Sequence, residues 1–475
     1  MSVKAGVEKA VLNSVLNWTH KDPETRVPKL MDRINSIMGR GENTLEKQRM
    51  YFTKWANDKS SPWHKMMMDV LGGGVDYGVV KKLFDNFFLN ANLIGWKRQC
   101  YYREKYGCNV PWAVLLDPTS ACNLHCTGCW AAEYGNRLNL TFEDIDSIIR
   151  QGKQLGIFMY IYTGGEPLVR KKDLIKLCEK HSDCVFLSFT NGTLIDEEFA
   201  DELLRVKNFV PAISVEGFEE TTDLRRGKGT YQKVEHAMAL LKERHLPFGI
   251  SCCYTSQNVD TVTSEAYIDK MVDWGALFVW FFHYMPVGAG ADTSLLLTPE
   301  QRETVYHKLR SYRGKKPIME IDFQNDGEYI GGCIAGGKRY MHINAAGDAD
   351  PCVFIHYSDS NIHEKTLLEV LTSPLFMAYH DGQPFNDNHL RPCPMLENPE
   401  KIVEMVHKSG AHSTDPEQPE SVEDLTAKTK DYARRWQPTA DRLWETSHGT
   451  EIEEEKEEED LENEREDPEE ESLAV

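Results

Sequence analysis

The 475-residue sequence predicts an α/β protein built on an open, partial (β/α)6 barrel, with a helical region before it and a small cysteine-containing extension behind it. Three observations carry that prediction. Between residues 108 and about 310, six short β-prone runs alternate with helix-like stretches. Each run is apolar almost without interruption, as strands covered on both faces are. Most end in Gly, Pro or Asn before a helical pattern resumes, as βα units require.

In chain order the runs are WAVLLD (112–117), FMYIYT (158–163), VFLSFT (185–190), PAISVE (211–216), FGISCCYT (248–255) and LFVWFFHYM (277–285). Residues 1–107 precede them, basic and rich in Trp, Met and Phe. Apolar residues recur there at helical spacing, in Val7, Val11, Val15 and Trp18 and again in Leu30, Ile34, Ile37 and Met38. Residues 311–411 form the Gly- and Cys-rich extension, and residues 412–475 a polar segment. Its end, 451–475, holds fifteen acids against two bases and is expected to be a disordered, solvating tail.

Hydrophobic residues make up 41% and charged ones 27%, which excludes collagen-like and wholly disordered chains. The formal charge of −21 divides into +7 for residues 1–107, −13 for the tail and −15 for the body between them. Phosphate neutralisation needs excess Lys and Arg, so nucleic acid is not an expected partner. The start of the chain, with Lys4, Glu8 and Lys9, has no charged-then-apolar signal pattern. The longest uncharged stretch, Trp274–Ala291, contains His283, Pro286 and three glycines and reads as a strand entering a turn. A cytoplasmic, reduced setting is expected. In it, twelve cysteines suit metal binding better than a disulfide framework.

After the first run comes ACNLHCTGCW, which places Cys122, Cys126 and Cys129 at C-x3-C-x2-C spacing. Three thiolates on one tight loop can wrap an inorganic centre, and soft sulfur selects zinc, copper or iron–sulfur clusters. Structural zinc wants four ligands, usually as two paired knuckles, and no second pair lies nearby. Three thiolates on a four-iron cluster leave one iron open for chemistry. The loop also follows the carboxyl end of a strand, where βα folds place ligand sites.

On these residues the chain resembles the radical S-adenosylmethionine (SAM) superfamily over roughly 110–310. TGGEP (163–167) follows the second run, FTNG (189–192) ends the third, ISVEG (213–217) ends the fourth, DLRRGKGTY (223–231) follows, and MPVG (285–288) closes the sixth. The resemblance implies a 4Fe-4S cluster on Cys122, Cys126 and Cys129. It also implies SAM contacts at Gly164, Gly165, Glu166, Pro167, Asn191, Ser214 and Glu216, and a guanidinium from Arg225 or Arg226 on the SAM carboxylate. A carboxylate suits an ammonium group and a guanidinium suits a carboxylate, while paired glycines admit close backbone approach. One-electron cleavage of SAM to a 5′-deoxyadenosyl radical that abstracts hydrogen is the implied reaction. An electron donor such as flavodoxin or ferredoxin is the implied partner. Many relatives carry an aromatic before the third cysteine, where this chain has Gly128; Trp130 follows instead, as adenine contact or as core.

Downstream, Cys333, Gly347 and Cys352 give C-x13-G-x4-C, similar to the opening of a SPASM/twitch extension. RYMHINAAGDADP between the cysteines reads as a β-hairpin turning at AAGD. Cys393, in LRPCPM, is the third ligand expected for a second, auxiliary cluster, and the fourth is not identified. The other six cysteines (Cys100, Cys108, Cys178, Cys184, Cys252, Cys253) read as buried small residues.

Two substrate classes stay open. Relatives with such extensions most often modify peptides or proteins. The basic N-terminal region, with Trp18, Trp63, Met66, Met67, Met68, Phe87, Phe88 and Trp96, suits either helices packed on the barrel or peripheral contact with a bilayer and chemistry on a lipid chain. A non-catalytic iron–sulfur electron-transfer or scaffold protein is the alternative; it would have no need of the SAM elements.

Overall fold

Seven parallel strands succeed one another across one sheet in chain order: β1 (Ala113–Leu116), β2 (Met159–Tyr162), β3 (Val185–Thr190), β4 (Phe209–Ser214), β5 (Gly249–Tyr254), β6 (Phe278–His283) and β7 (Met319–Asp322). The computed structural model describes residues 13–38, 44–288 and 290–465. All six expected runs form β1–β6. The seventh, MEID, is too polar to read as a buried strand, and its pairing with β6 is what makes it one.

Helices fill the connections. The first, Phe142–Leu155, starts at a capping box between Thr141 and Asp144 and ends at Gly156, whose φ of 93° suits only glycine. Its Ile145, Ile148, Ile149 and Leu155 pack on the outer face of the sheet against Val114, Leu116, Tyr160 and Tyr162. The inner face, from Ala113, Leu115, Met159, Ile161, Val185 and Leu187, builds a second core with the C-terminal part of the chain. The parallel sheet is thus apolar on both sides, which is why its strands lack polar alternation.

The extension is continuous with the barrel. β8 (Tyr340–Ile343) pairs in parallel with β1, Ala113 opposite Tyr340. β9 (Ala349–Asp350) returns antiparallel to β8 and completes the expected hairpin. The sheet order is β7-β6-β5-β4-β3-β2-β1-β8-β9, so the barrel stays open but its β1 edge is covered. The buried Arg302 guanidinium binds the extension from the far side. It donates to Glu397 at 2.6 Å, Tyr432 at 3.1 Å and Asn325 at 3.0 Å, and lies 4.2 Å from the Trp436 ring.

The helix bearing Tyr432 and Trp436 runs Val422–Arg465, into the acidic stretch expected to be disordered. Glu is a good helix former and the helix is already nucleated where it packs on the barrel. Residues 466–475 lie outside the described residues, as do Val7 and Val11. In the N-terminal region, residues 84–106 dock across the amino ends of the strands, on the turns that lead into β2 and β3. Asn86 donates to Ser182 and Cys184 carbonyls, Asn90 to that of Asp183 and Gln99 to that of Gly156. Packing on the barrel therefore holds, yet Phe88, Leu93, Trp96 and Tyr101 remain exposed on the outer surface. Among the described residues, no helix is long and apolar enough to cross a membrane.

On β7, Glu320 is buried with neither carboxylate oxygen hydrogen-bonded, and burial pushes its pKa up to about 8. A folded value above the ordinary 4.5 means that ionisation opposes folding, from nothing at pH 4 to its full extent above pH 8. Glu320→Gln should therefore stabilise the fold at pH 8.5 by on the order of 2–4 kcal/mol and leave it unchanged at pH 4.5, as read from denaturation curves at the two pH values.

Candidate active site

The loop after β1 is held from its entry. Ser120 and Leu138 exchange hydrogen bonds through N–H to carbonyl and N–H to hydroxyl, and Thr119 bridges to Asn139. Cys122, Cys126 and Cys129 all face one cavity of about 220 Å³ inside the barrel, and none is in a disulfide. Burial pushes the Cys122 thiol up to about 11 and raises that of Cys126. Gly128 has φ 68°, and a Cβ there would sit 2.7 Å from the Tyr284 ring. The aromatic missing before the third cysteine is thus replaced in space by Tyr284, from the end of β6.

TGGEP wraps the same loop. A Cβ on Gly164 would meet the Thr119 carbonyl at 2.8 Å, and one on Gly165 would strike the carbonyl oxygens of Ser120 and Ala121. The glycines are required because two strand-end loops cross backbone to backbone, a stricter reason than ligand approach alone. Glu166 is buried and already engaged: it accepts from Leu168 N–H, the Thr190 hydroxyl and Asn191 N–H at 2.7–2.9 Å. Burial still raises its pKa. Asn191 in turn donates to Asn123 in the cysteine loop at 2.8 Å.

Glu216 lies fully buried between two guanidiniums, Arg225 at 2.6 Å and Arg226 at 2.5 Å. Burial pushes its pKa up, but the charges of Arg226 and Arg225 outweigh this and hold the carboxyl below its usual value. One positive charge is left over. The buried Arg225 Nε has no hydrogen-bond partner, and Arg226 Nη1 lies 3.8 Å from Cys126 Sγ. The Arg225 carbonyl also accepts from Thr127 N–H, inside the cysteine loop.

Of the residues expected to meet SAM, Gly164, Gly165, Glu166, Asn191, Ser214, Arg225 and Arg226 line the cavity with the three cysteines; Pro167 and Glu216 stand behind the wall. Pro167 opens the short turn Pro167–Arg170, and Glu216 is enclosed by its two arginines. The rest of the lining is largely apolar: Trp112, Leu115, Ile161, Phe189, Trp280, Phe282, Phe323, Val353 and Phe354 among others. Trp112 immediately precedes β1 and the cysteine loop follows its end, so the cavity runs the length of that four-residue strand, about 13 Å at 3.3 Å per residue.

Cys333, Cys352 and Cys393 surround a second, smaller cavity of about 40 Å³, also lined by Tyr340, Phe354 and Met285, which face the first cavity too. The Tyr340 hydroxyl lies 2.8 Å from Cys352 Sγ. Of the six other cysteines, Cys108, Cys178, Cys184 and Cys252 are buried as expected. Cys100 is exposed, on the outer side of the helix Trp96–Tyr106, and Cys253 lines the main cavity with its neighbour Cys252 pointing outward.

Among the described residues, no three His, Cys, Asp or Glu side chains converge tightly enough for a single metal ion. Two sets of three half-buried or buried thiols, each around a void, fit polynuclear iron–sulfur centres better than mononuclear zinc.

Sequence reading missed what joins the two sets. His342, between Cys333 and Cys352, lies 3.0 Å from Asp117 and 3.1 Å from Asp350. Burial alone would lower its pKa, but Asp117 and Asp350 carry it up to about 10. Asp117 leads into the first cysteine loop and Asp350 into Cys352. Trp130 packs edge-on against His342, Phe354 and His356, half in core and half in the cavity wall. Only the hairpin position of His342 hinted at this.

Residues 116–265 match the Radical SAM superfamily and form a radical SAM domain. The chain is 25% identical over 293 residues to the AdoMet-dependent heme synthase of Methanosarcina barkeri, covering 55% of this chain and 82% of that one. It is 26% identical over 280 residues to the mycofactocin maturase MftC of Mycolicibacterium smegmatis, covering 55% and 67%. The solved structure of Streptococcus suis SuiB bound to S-adenosylmethionine shares the fold at a TM-score of 0.53 and 19% identity, over 64% of this chain and 78% of that one. Membership of residues 116–265 in the Radical SAM superfamily implies a 4Fe-4S cluster and SAM.

Three substitutions test the geometry. Gly165→Ala must displace the 120–121 backbone, at about 2 kcal/mol, and should lower the iron taken up on anaerobic reconstitution. Gly72→Ala, with open space around it, should change neither quantity. Glu216→Gln leaves two buried guanidiniums without a counter-charge and should destabilise the fold by about 3 kcal/mol, measured by denaturant unfolding.

Proposed function

We propose that this radical SAM enzyme abstracts hydrogen from an unactivated carbon of a membrane-lipid chain lying along the barrel cavity. The observation that carries the reading is the cavity wall: aromatic and aliphatic from the cysteine loop to the amino ends of β1 and β8, with few polar groups to satisfy a peptide backbone. At its carboxyl end, Cys122, Cys126 and Cys129 would hold the 4Fe-4S cluster. Gly164–Pro167, Asn191, Ser214 and the Glu216–Arg225–Arg226 group would hold SAM, the surplus guanidinium charge answering its carboxylate. Tyr284 would give the adenine its aromatic face. Bound together, cluster and SAM supply a 5′-deoxyadenosyl radical on arrival of one electron, from a donor such as flavodoxin or ferredoxin.

The chain's own contribution is placement. The apolar wall keeps water from the reacting carbon and fixes which carbon lies nearest the cysteine loop. Cys333, Cys352 and Cys393 would hold an auxiliary cluster beside the same cavity. The assignment of residues 1–107 as a helical, basic, aromatic-rich N-terminal region, 108–310 as the radical SAM partial barrel, 311–411 as the SPASM/twitch-like auxiliary-cluster region and 412–475 as a polar C-terminal segment ending in an acidic tail belongs to the same proposal. A peptide substrate is the second reading, favoured by the maturase relative.

Formation of 5′-deoxyadenosine by the reconstituted enzyme with SAM and reductant distinguishes them, with a Cys126→Ala protein as blank. Stimulation by a polar-lipid fraction is expected; stimulation by a peptide fraction alone overturns the lipid reading. Replacing Cys333, Cys352 and Cys393 together by Ala should remove about half of the reconstituted iron, four atoms per cluster, while SAM binding stays. Unchanged iron content would refute the auxiliary cluster.

A further inference from the structure

We propose that Arg339, with Lys338 and Arg103, forms a binding site for the anionic head group of a lipid whose chain occupies the barrel cavity. The proposal rests on the lipid reading above and deepens it by naming the group that sets the head end.

The site lies at the amino ends of β1 and β8, opposite the cysteine loop. Arg339 lines the cavity there beside Trp112, which donates to Asn92 at 3.2 Å and meets Phe87 edge-on. The Arg339 guanidinium lies 5.0 Å from the centre of the Trp96 ring, and that of Arg103 lies 4.7 Å from the same ring. Arg103 donates to the Val110 and Lys338 carbonyls, and the Lys338 ammonium to that of Gly331. Two guanidiniums therefore share one indole, with the Lys338 ammonium on the adjoining Gly331 turn, and among the described residues none of the three cations has a carboxylate partner.

In a chain of net charge −21 that is an unusual omission. No carboxylate offsets the repulsion: burial and then the charge of Arg339 hold Arg103 below its ordinary value, and burial, with a smaller contribution from Arg339, lowers Lys338. The second Arg group of the protein shows the contrast, since Arg225 and Arg226 share Glu216. An anion at the mouth would relieve the repulsion, and a guanidinium stacked on an indole is held ready for a phosphate or carboxylate.

The surroundings select an amphiphile over a free anion. Inward, the wall is largely apolar along the strands. Outward, Phe88, Leu93 and Trp96 are 46%, 45% and 37% exposed on the helices that frame the mouth. Aromatic side chains among Lys and Arg are the composition of surfaces that sit at a bilayer's head-group level. A lipid withdrawn from such a surface would leave its head with the cations and extend its chain toward the cysteines.

Calorimetry with three probes tests this, each amphiphile below its micelle concentration: dodecyl phosphate, dodecyl maltoside with the same chain and a neutral head, and inorganic phosphate with no chain. The wild-type protein should bind dodecyl phosphate about tenfold more tightly than the maltoside, and inorganic phosphate more weakly than either. Arg339→Gln should abolish that preference, Arg339→Lys should keep part of it, and both should melt as the wild type does. Equal affinity for the two amphiphiles, or an unchanged preference in Arg339→Gln, overturns the site. Tighter, Arg339-dependent binding of coproporphyrin would give the cations to a porphyrin carboxylate and overturn the lipid assignment. These measurements need no turnover. A preference that stands while lipid fails to stimulate 5′-deoxyadenosine formation would leave the anion site intact and refute the chain chemistry instead.

Discussion

Parallel pairing of β8 with β1 is the constraint on which the rest of the structure depends. It brings a strand from the C-terminal extension to the edge of the barrel, in register with the strand that feeds the cysteine loop. Because both strands run the same way, their carboxyl ends meet at the thiols and their amino ends meet at Trp112 and Arg339. One strand pair therefore fixes the two ends of the cavity and the second set of cysteines relative to each other. Without it, an open sheet would present the β1 edge to solvent, and the cavity would lose the wall formed by Tyr340, Val353 and Phe354.

Charge follows the same division. At the carboxyl end, His342 sits between Asp117 and Asp350, and Arg225 and Arg226 hold Glu216, so buried groups of complementary charge lock loops to one another. Such groups are costly to separate, which suits parts that must not move. At the mouth, Arg103, Lys338 and Arg339 are all of one sign. The first arrangement is complete without a ligand except for the surplus guanidinium beside Cys126; the second is not complete at all.

Much of this was legible in the sequence. Near-continuous apolar runs announced β1–β6, and the C-x3-C-x2-C loop with its GGEP and Arg-rich companions drew seven of nine expected SAM-contacting residues to one cavity. What was not legible depended on distant packing. β7 reads as polar because only one of its faces is apolar. Pairing of β8 with β1 links residues more than two hundred apart and leaves no local pattern. Gly128 looked like a missing aromatic because the ring that fills its place, Tyr284, belongs to another strand. The three cations lie in two segments, each of which alone is an ordinary basic stretch.

The central claim is that a hydrocarbon chain lies in the barrel with one of its carbons at the cysteine loop. Deuterium transfer tests it most directly. The reconstituted enzyme would be given SAM, reductant and a polar-lipid extract with perdeuterated acyl chains, and the 5′-deoxyadenosine weighed by mass spectrometry. Transfer of a single deuterium from chain to 5′-deoxyadenosine is the predicted result. Product formed at the same rate with no deuterium would place the abstracted hydrogen elsewhere and contradict the account.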